Sequence, residues 1–326
     1  MFNNTWYKKE KPTLSYPGYG GGAGGFAFMA AGGDYPGTGE WYGTRGLSGG
    51  GTQGGGNTNA IDYVTIASTS NASNFGNLTS SDIYDDGSSD GSRGLFNKNN
   101  VIEYVTIATT SNANDFGDLS VGRGAGSVSD GARCCFAGGY VSPGGSNIID
   151  YVVIDTLSDA TDFGDLTLGR WGLRGMGGAT RGIWGGGEIM PSGHTNRIDY
   201  ITIETKGDAT DFGDMLQGVH GYAAYSIASR GIFAGGYGPQ NVIQYITPDS
   251  AGDATDFGNL TEVKYAVSGC CNSSRGIHWG GYNTSGGGGP NFDTIDYITI
   301  ASASDATDFG DMQNGTRSTS ALSGNT

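Results

Sequence analysis

Carboxylates, thiols and imidazoles are the groups in this 326-residue chain able to hold a metal or move a proton, and their spacing restricts what each can do. An acidic segment of the form Asp159-Ala160-Thr161-Asp162-Phe163-Gly164-Asp165 recurs along the chain, and clustered carboxylate oxygens suit a hard cation such as calcium. Its first copy reads Asn71-Ala72-Ser73-Asn74-Phe75-Gly76-Asn77, with every carboxylate replaced by an amide. Interchange of Asp with Asn fits an oxygen that caps local backbone N–H groups, a task either residue performs. Capping is the expected role, with calcium binding as the alternative. The four cysteines form two neighbouring pairs, Cys134-Cys135 and Cys270-Cys271, unlike the spaced ligands of a zinc site. Adjacent side chains in a strand point to opposite faces, so neither pair is expected to bridge itself. Reduced, partly buried thiols are expected. Of the three histidines, His194 falls in a loop, His220 in a connector and His278 beside Trp279 in a strand. These unlike positions suggest no catalytic set. Carboxylates recur from blade to blade rather than standing in one place, whereas an active site would break such a pattern. The expectation is a chain without catalytic, cofactor or metal residues.

These groups belong to a repeat, and the repeat fixes where they go. Its last copy runs Ile295-Asp296-Tyr297-Ile298-Thr299-Ile300 and then Asp305-Ala306-Thr307-Asp308-Phe309-Gly310-Asp311. Six copies centre on Tyr63 and Phe75, Tyr104 and Phe116, Tyr151 and Phe163, Tyr200 and Phe212, Tyr245 and Phe257, and Tyr297 and Phe309, always twelve residues apart. Each unit opens with an arginine before an apolar strand, at Arg45, Arg93, Arg133, Arg181, Arg230 and Arg275. A loop follows, then the alternating Ile-Asp-Tyr strand, an acidic turn, the Phe-Gly strand, a connector, and a small-residue strand such as Tyr222-Ala223-Ala224-Tyr225-Ser226-Ile227. Four short strands per unit, at Phe-to-Phe spacings of 41, 47, 49, 45 and 52 residues, predict an all-β fold of propeller blades. The first unit lacks its small-residue strand, and Gly315–Ser323 supplies one after the last unit. Pairing that C-terminal strand into the first blade would close a six-bladed ring and remove an exposed edge. The repeated Tyr and Phe suit blade-to-blade packing better than sugar stacking. The six arginines suit Arg–carboxylate pairs better than an anion site.

The net charge of −15 argues against a nucleic-acid partner, which needs clustered Lys and Arg. No apolar run reaches spanning length, and Met1-Phe2-Asn3-Asn4-Thr5-Trp6 lacks a signal peptide's apolar stretch, so neither membrane insertion nor export is expected. Three of the six lysines lie within the first eleven residues. Residues 1–24 carry no repeat, and their proline and glycine favour an extended arm ahead of a propeller over 25–326. Gly25–Gly33 reads as an added strand or a plug rather than a seventh blade.

The order of residues in each unit resembles the kelch family: an apolar strand ending in a double glycine (Ile232-Phe233-Ala234-Gly235-Gly236), then Tyr245, an aromatic at Phe257, Leu260 and a basic Lys264. Phe163, Leu166 and Arg170 follow the same order. Phe stands where kelch proteins carry Trp, and Asn97 stands where the second unit should have its double glycine. The spelling of the repeat behind a Lys-Lys-Glu-Lys-Pro arm is also similar to kelch-like virion proteins of marine tailed bacteriophages. That resemblance implies a kelch-like propeller in a virion, assembled in the host cytoplasm, with other virion proteins as partners. Some kelch-like propellers are copper oxidases that use His, Tyr and a Cys–Tyr cross-link, but no cysteine here has a matching context.

Within that expectation two regions carry function. The basic arm would dock the disc to a neighbouring virion protein, with Lys8, Lys9 and Lys11 pairing acidic surface and Trp6, Tyr7, Tyr16 and Tyr19 as apolar anchors; its alternative is a flexible tail. The loops between the apolar strand and the Ile-Asp-Tyr strand vary widely in length and share one face with the connectors. Tyr140, His194, Tyr237 and Tyr282 are the contacts expected there, and host-surface glycan is the alternative partner. Neutral loop drift would produce the same variation. An enzyme acting on surface polysaccharide has the least support.

Overall fold

Short runs of alternating apolar and polar residues, broken by glycine, leave no stretch with helical periodicity. The computed structural model describes residues 41–326 except 84, 192, 239 and 284–289, and every regular element among them is a strand. No helix among them is long and apolar enough to cross a membrane. The proposed arm contacts Trp6, Tyr7, Lys8, Lys9, Lys11, Tyr16 and Tyr19, and the apolar strand Gly25–Gly33, lie outside the described residues.

The strands form six four-stranded antiparallel sheets, the blades of a β-propeller. Blade 3 is representative, with Gly126–Ser129 innermost, then Arg133–Ala137, Ile148–Val153 and Thr161–Asp165 outermost. Blade 1 draws on both ends of the described chain: Ser320–Gly324 pairs with Arg45–Gly49, which pairs with Ala60–Thr65 and then Ser73–Asn77. The inner strand Ser320–Gly324 also lies against the inner strands of blade 2, Asp86–Ser89, and blade 6, Ser268–Cys271. Six apolar clusters fill the six junctions between neighbouring blades. Cys134 packs at one face of blade 3 and Cys135 at the other, as strand alternation requires. All four thiols are free and fully buried, more enclosed than the sequence suggests.

In every blade the register shifts between the Ile and the Asp (Glu103 or Gln244 in two blades) of the third strand. In blade 3, Ile149 faces Gly164 while Asp150 faces Asp162, so Phe163 is the extra, bulged residue and turns inward. Gly164, at φ 152°, follows it because a Cβ there would stand 2.4 Å from the carbonyl oxygen of Gly207 in the next blade.

The first acid or amide of each turn caps a backbone N–H of the neighbouring blade; a local cap is also made by Asp211, which accepts from the Gly213 amide at 3.3 Å. Asp159 accepts from the amide of Asp118 at 3.0 Å, Asp208 from Asp165 at 3.0 Å, Asp253 from Asp214 at 3.0 Å and Asp305 from Asn259 at 2.9 Å. Asn112 does the same for Asn77 at 3.0 Å, and Asn71 for Asp311 at 3.1 Å across the junction of blades 6 and 1. The acceptor's task is met equally by amide or carboxylate, which explains the interchange.

The opening arginines correct the expectation of carboxylate pairing. Each lies over the tyrosine of its own blade, at 4.4 to 5.2 Å from the ring centroid. Each then donates to a backbone carbonyl of the next blade: Arg45 to Ile107, Arg93 to Ile154, Arg133 to Ile203, Arg181 to Pro248, Arg230 to Ile300 and Arg275 to Ala67. The tyrosine in turn meets its phenylalanine edge-on at 5.8 to 6.2 Å. A carbonyl at the end of a strand is a fixed acceptor at every junction, whereas the first acid of each turn is taken up by capping.

Candidate functional site

The connectors and the loops meet on one face through a recurring backbone contact. The residue after the double glycine pairs with the connector residue five places beyond the Leu or Met that follows the outer strand. Trp171 pairs with Glu188, Tyr265 with Tyr282 and Arg317 with Thr52, and the Tyr237 amide donates to the His220 carbonyl at 2.9 Å. Two side chains per junction are thereby set next to each other. Blade 2 differs: its second strand, Arg93–Lys98, turns at Asn99-Asn100 straight into Val101–Thr106, with no long loop. Asn97, standing where the double glycine would be, is fully buried and bonds the carbonyls of Asp86 and Ala125 at 3.0 Å each.

Across blades 3 to 6 these positions form a continuous arc of rings. Tyr140 meets Trp171 at 6.2 Å between centroids, Trp171 meets His220 at 5.4 Å, and His220 stacks on His194 at 4.7 Å and on Tyr237 at 4.9 Å. Tyr237 and His220 both contact Tyr265, which meets Tyr282 at 5.1 Å. Arg317 lies 4.4 Å over Tyr282 and ends the arc. Tyr140 and Tyr237 are 49% and 44% exposed, so the arc opens to solvent. All four residues expected on this face, Tyr140, His194, Tyr237 and Tyr282, belong to it.

Sequence reasoning missed Trp171, His220, Tyr265, Arg317 and Glu188, and it treated the histidines as unrelated. The signal was present in the repeat arithmetic: Trp171, His220, Tyr265 and Arg317 each stand five residues after Leu166, Met215, Leu260 and Met312. Tyr140, Glu188, Tyr237 and Tyr282 each follow a double glycine. Register of the two sets against one another depends on the bridge between loop and connector, which no local pattern displays.

The centre of the arc holds its ionisable groups. Glu188 and His194 face each other across a short hairpin, Glu188–Ile189 against Gly193–His194. The Glu188 Oε2 oxygen lies 3.9 Å from His194 Nε2 and 4.0 Å from His220 Nδ1. His220 is 5% exposed, and its Nε2 shares a 2.9 Å hydrogen bond with the Tyr265 hydroxyl. Burial, then the neighbouring His194, pushes the His220 pKa down to about 4, so its imidazole is neutral at pH 7. Burial likewise holds the Tyr265 phenol protonated, raised to about 12. The neutral imidazole of His220, the protonated phenol of Tyr265 and the rings stacked about them make a surface suited to stacking and hydrogen bonding.

Beneath the arc, the third-strand acids anchor the connectors. Asp150 pairs with Arg123 at 2.9 Å, Asp199 with Arg170 at 2.7 Å and Asp296 with Lys264 at 2.7 Å, all buried. At the junction of blades 4 and 5 both partners are replaced together: Val219 stands at the cation's place and Gln244 at the acid's, with Gln244 accepting from the Leu216 amide at 2.8 Å. Three junctions thus hold a buried ion pair at this place, and the junction of blades 4 and 5 holds a neutral pair instead.

No protein-family model matches the chain, and no curated protein is similar to it in sequence.

Proposed function

We propose that this chain is a non-enzymatic binding propeller of a bacteriophage particle, a kelch-like structural protein that displays the aromatic arc on its loop face. The observation that carries this reading is the arc itself. Seven rings from four blades meet on one side of a scaffold whose junctions are fixed by arginine, Asx caps and aromatic packing. Rigid aromatic side chains provide contact area at little entropic cost, which favours recognition over turnover. The virion setting and the kelch relationship rest on the resemblance of the repeat. In this reading the N-terminal arm, through Trp6, Tyr7, Lys8, Lys9, Lys11, Tyr16 and Tyr19, docks the disc to other virion proteins. The C-terminal strand of blade 1 keeps the ring closed.

A second reading, recognition of host-surface glycan, is favoured by the flat faces of Tyr140 and Tyr237 at the open edge of the arc. A pull-down with the full-length protein, a variant lacking residues 1–20, and the double variant Tyr140→Ala, Tyr237→Ala separates the two. Capture of purified virion proteins that needs residues 1–20 supports the structural role. Glycan capture that needs the two tyrosines but not the arm supports receptor binding. Retention of every captured partner by the tyrosine variant removes the arc from either function.

A further inference from the structure

At the junction of blades 4 and 5 the loop-face positions carry side chains of a different chemistry from their neighbours in the arc. Where blades 3, 5 and 6 carry tyrosine after the double glycine, blade 4 carries Glu188; where neighbouring connectors carry Trp171 and Tyr265, this one carries His220. The loop of blade 4 adds His194, and where three other connectors bury Arg123, Arg170 or Lys264, this one carries Val219. We propose that Glu188, His194 and His220 form a zinc site, with Glu188 Oε2, His194 Nε2 and His220 Nδ1 as ligands and Tyr265 as the positioning residue for His220.

The backbone places these donors independently of any ion. Glu188 and His194 are cross-strand partners in the blade 4 hairpin, and His220 comes from the connector that follows the same blade. The three donor atoms lie within 4.8 Å of one another, with the oxygen-to-nitrogen distances at 3.9 and 4.0 Å. Zinc–ligand bonds of about 2.0–2.1 Å at tetrahedral angles put ligand atoms about 3.4 Å apart. Movement of about 0.5 Å closes the two shorter pairs, and His194, on the outer strand of the hairpin, can supply it. Two imidazoles on one such ion have centroids about 5 Å apart; His194 and His220 stand at 4.7 Å.

The second, independent observation is His220 itself. Its Nδ1 is buried and has no hydrogen-bond partner, although buried polar atoms are rarely left so. The Tyr265 hydroxyl at 2.9 Å takes the other ring nitrogen, so Nε2–H can donate to Tyr265 while the Nδ1 lone pair faces Glu188. A histidine held by an outer partner through one nitrogen and presenting the other is the arrangement of a metal ligand. Two imidazoles and one carboxylate suit a borderline ion such as zinc rather than calcium or magnesium, which take oxygen. Replacement of the buried cation by Val219 leaves no positive charge at that connector position to oppose the ion. Three protein ligands leave a fourth position open on the loop face, for water or for a donor from a bound partner. This site does not depend on the identity of that partner.

Zinc titration of the chelator-treated, tag-free, full-length protein by calorimetry tests the proposal, with cobalt(II) as a spectroscopic stand-in. One saturable site per chain is expected, together with the intense visible bands of tetrahedral cobalt. Glu188→Gln and His194→Ala, both at the solvent-facing hairpin, should each weaken zinc at least tenfold while the thermal unfolding of the metal-free protein stays unchanged. Tyr265→Phe should weaken it about tenfold and shift the cobalt spectrum, through loss of the bond that orients His220. Absence of saturable binding to the wild type overturns the assignment, as does binding that neither hairpin variant alters.

Discussion

Lys264 and Asp296 allow the scaffold's own solution at blade 5 to be tested on blade 6. Lys264 is fully buried and donates to Asp296 at 2.7 Å and to the Thr294 hydroxyl at 2.8 Å; Asp296 also accepts from Thr261. At 2.7 Å and an effective dielectric near 20, the attraction is about 6 kcal/mol, most of it offset by the desolvation of both ions. Lys264→Val leaves a buried carboxylate without its counter-charge, and Asp296→Gln leaves a buried ammonium. Each single change should therefore cost about 3–5 kcal/mol. The double change writes Val and Gln where the preceding junction already has Val219 and Gln244, the latter satisfied by the Leu216 amide. It should fall within about 1 kcal/mol of wild type. Guanidinium unfolding at pH 7, followed by the fluorescence of buried Trp184 and Trp279, gives the three stabilities. A double variant as unstable as the sum of the singles would refute the idea that charge pair and neutral pair are interchangeable units of this repeat.

Gly164→Ala should cost about 3 kcal/mol or more, because φ is 152° and the new methyl meets the Gly207 carbonyl of the next blade, whereas Gly54→Ala, in open space, should stay within about 0.5 kcal/mol; thermal unfolding of both variants checks this. His278 should make the protein acid-sensitive. Burial lowers its pKa to about 4, with Asp296 opposing, so the fold binds its neutral form while the unfolded chain protonates near 6.5. Its contribution is intact above pH 6.5 and is lost as the pH falls toward 4, by about 2.5 kcal/mol at pH 4.5. Half-buried Asp85 and buried Asp86, both raised to about 6, act in the opposite sense, so the effect is read as the difference between wild type and His278→Gln from pH 7.5 to 4.5. Parallel pH profiles would show that His278 does not stay neutral in the fold.

The propeller was legible because five of its six blades are local units written out in consecutive residues, and the sixth lacks one strand that the C-terminal segment spells out. Twelve residues from Tyr to Phe set a hairpin of constant length, and glycine after Phe marks the close approach of the next blade. The purpose of the arginines was not legible, since their acceptors are main-chain carbonyls, which have no spelling in a sequence. The turns told the same half of their story: Asp or Asn announces a cap, but Asp159 and Asp118 meet only because two blades lie side by side. The four loop-face residues named from variable length do lie together, yet Trp171, His220 and Tyr265 were not joined to them, because connector residues there have no fixed type.

Sequence alone determined the repeat, the strand order within each blade and the face on which variation is concentrated, because strand pairing between near neighbours depends on alternation and turn length. Tertiary structure decided which blades' residues become neighbours on that face. Glu188, His194 and His220 come together through a hairpin register and a loop-to-connector bridge, and the buried nitrogen of His220 is left facing a carboxylate. Such a juxtaposition is set by how rigid units pack around a ring, a property of distances between blades that no single blade encodes.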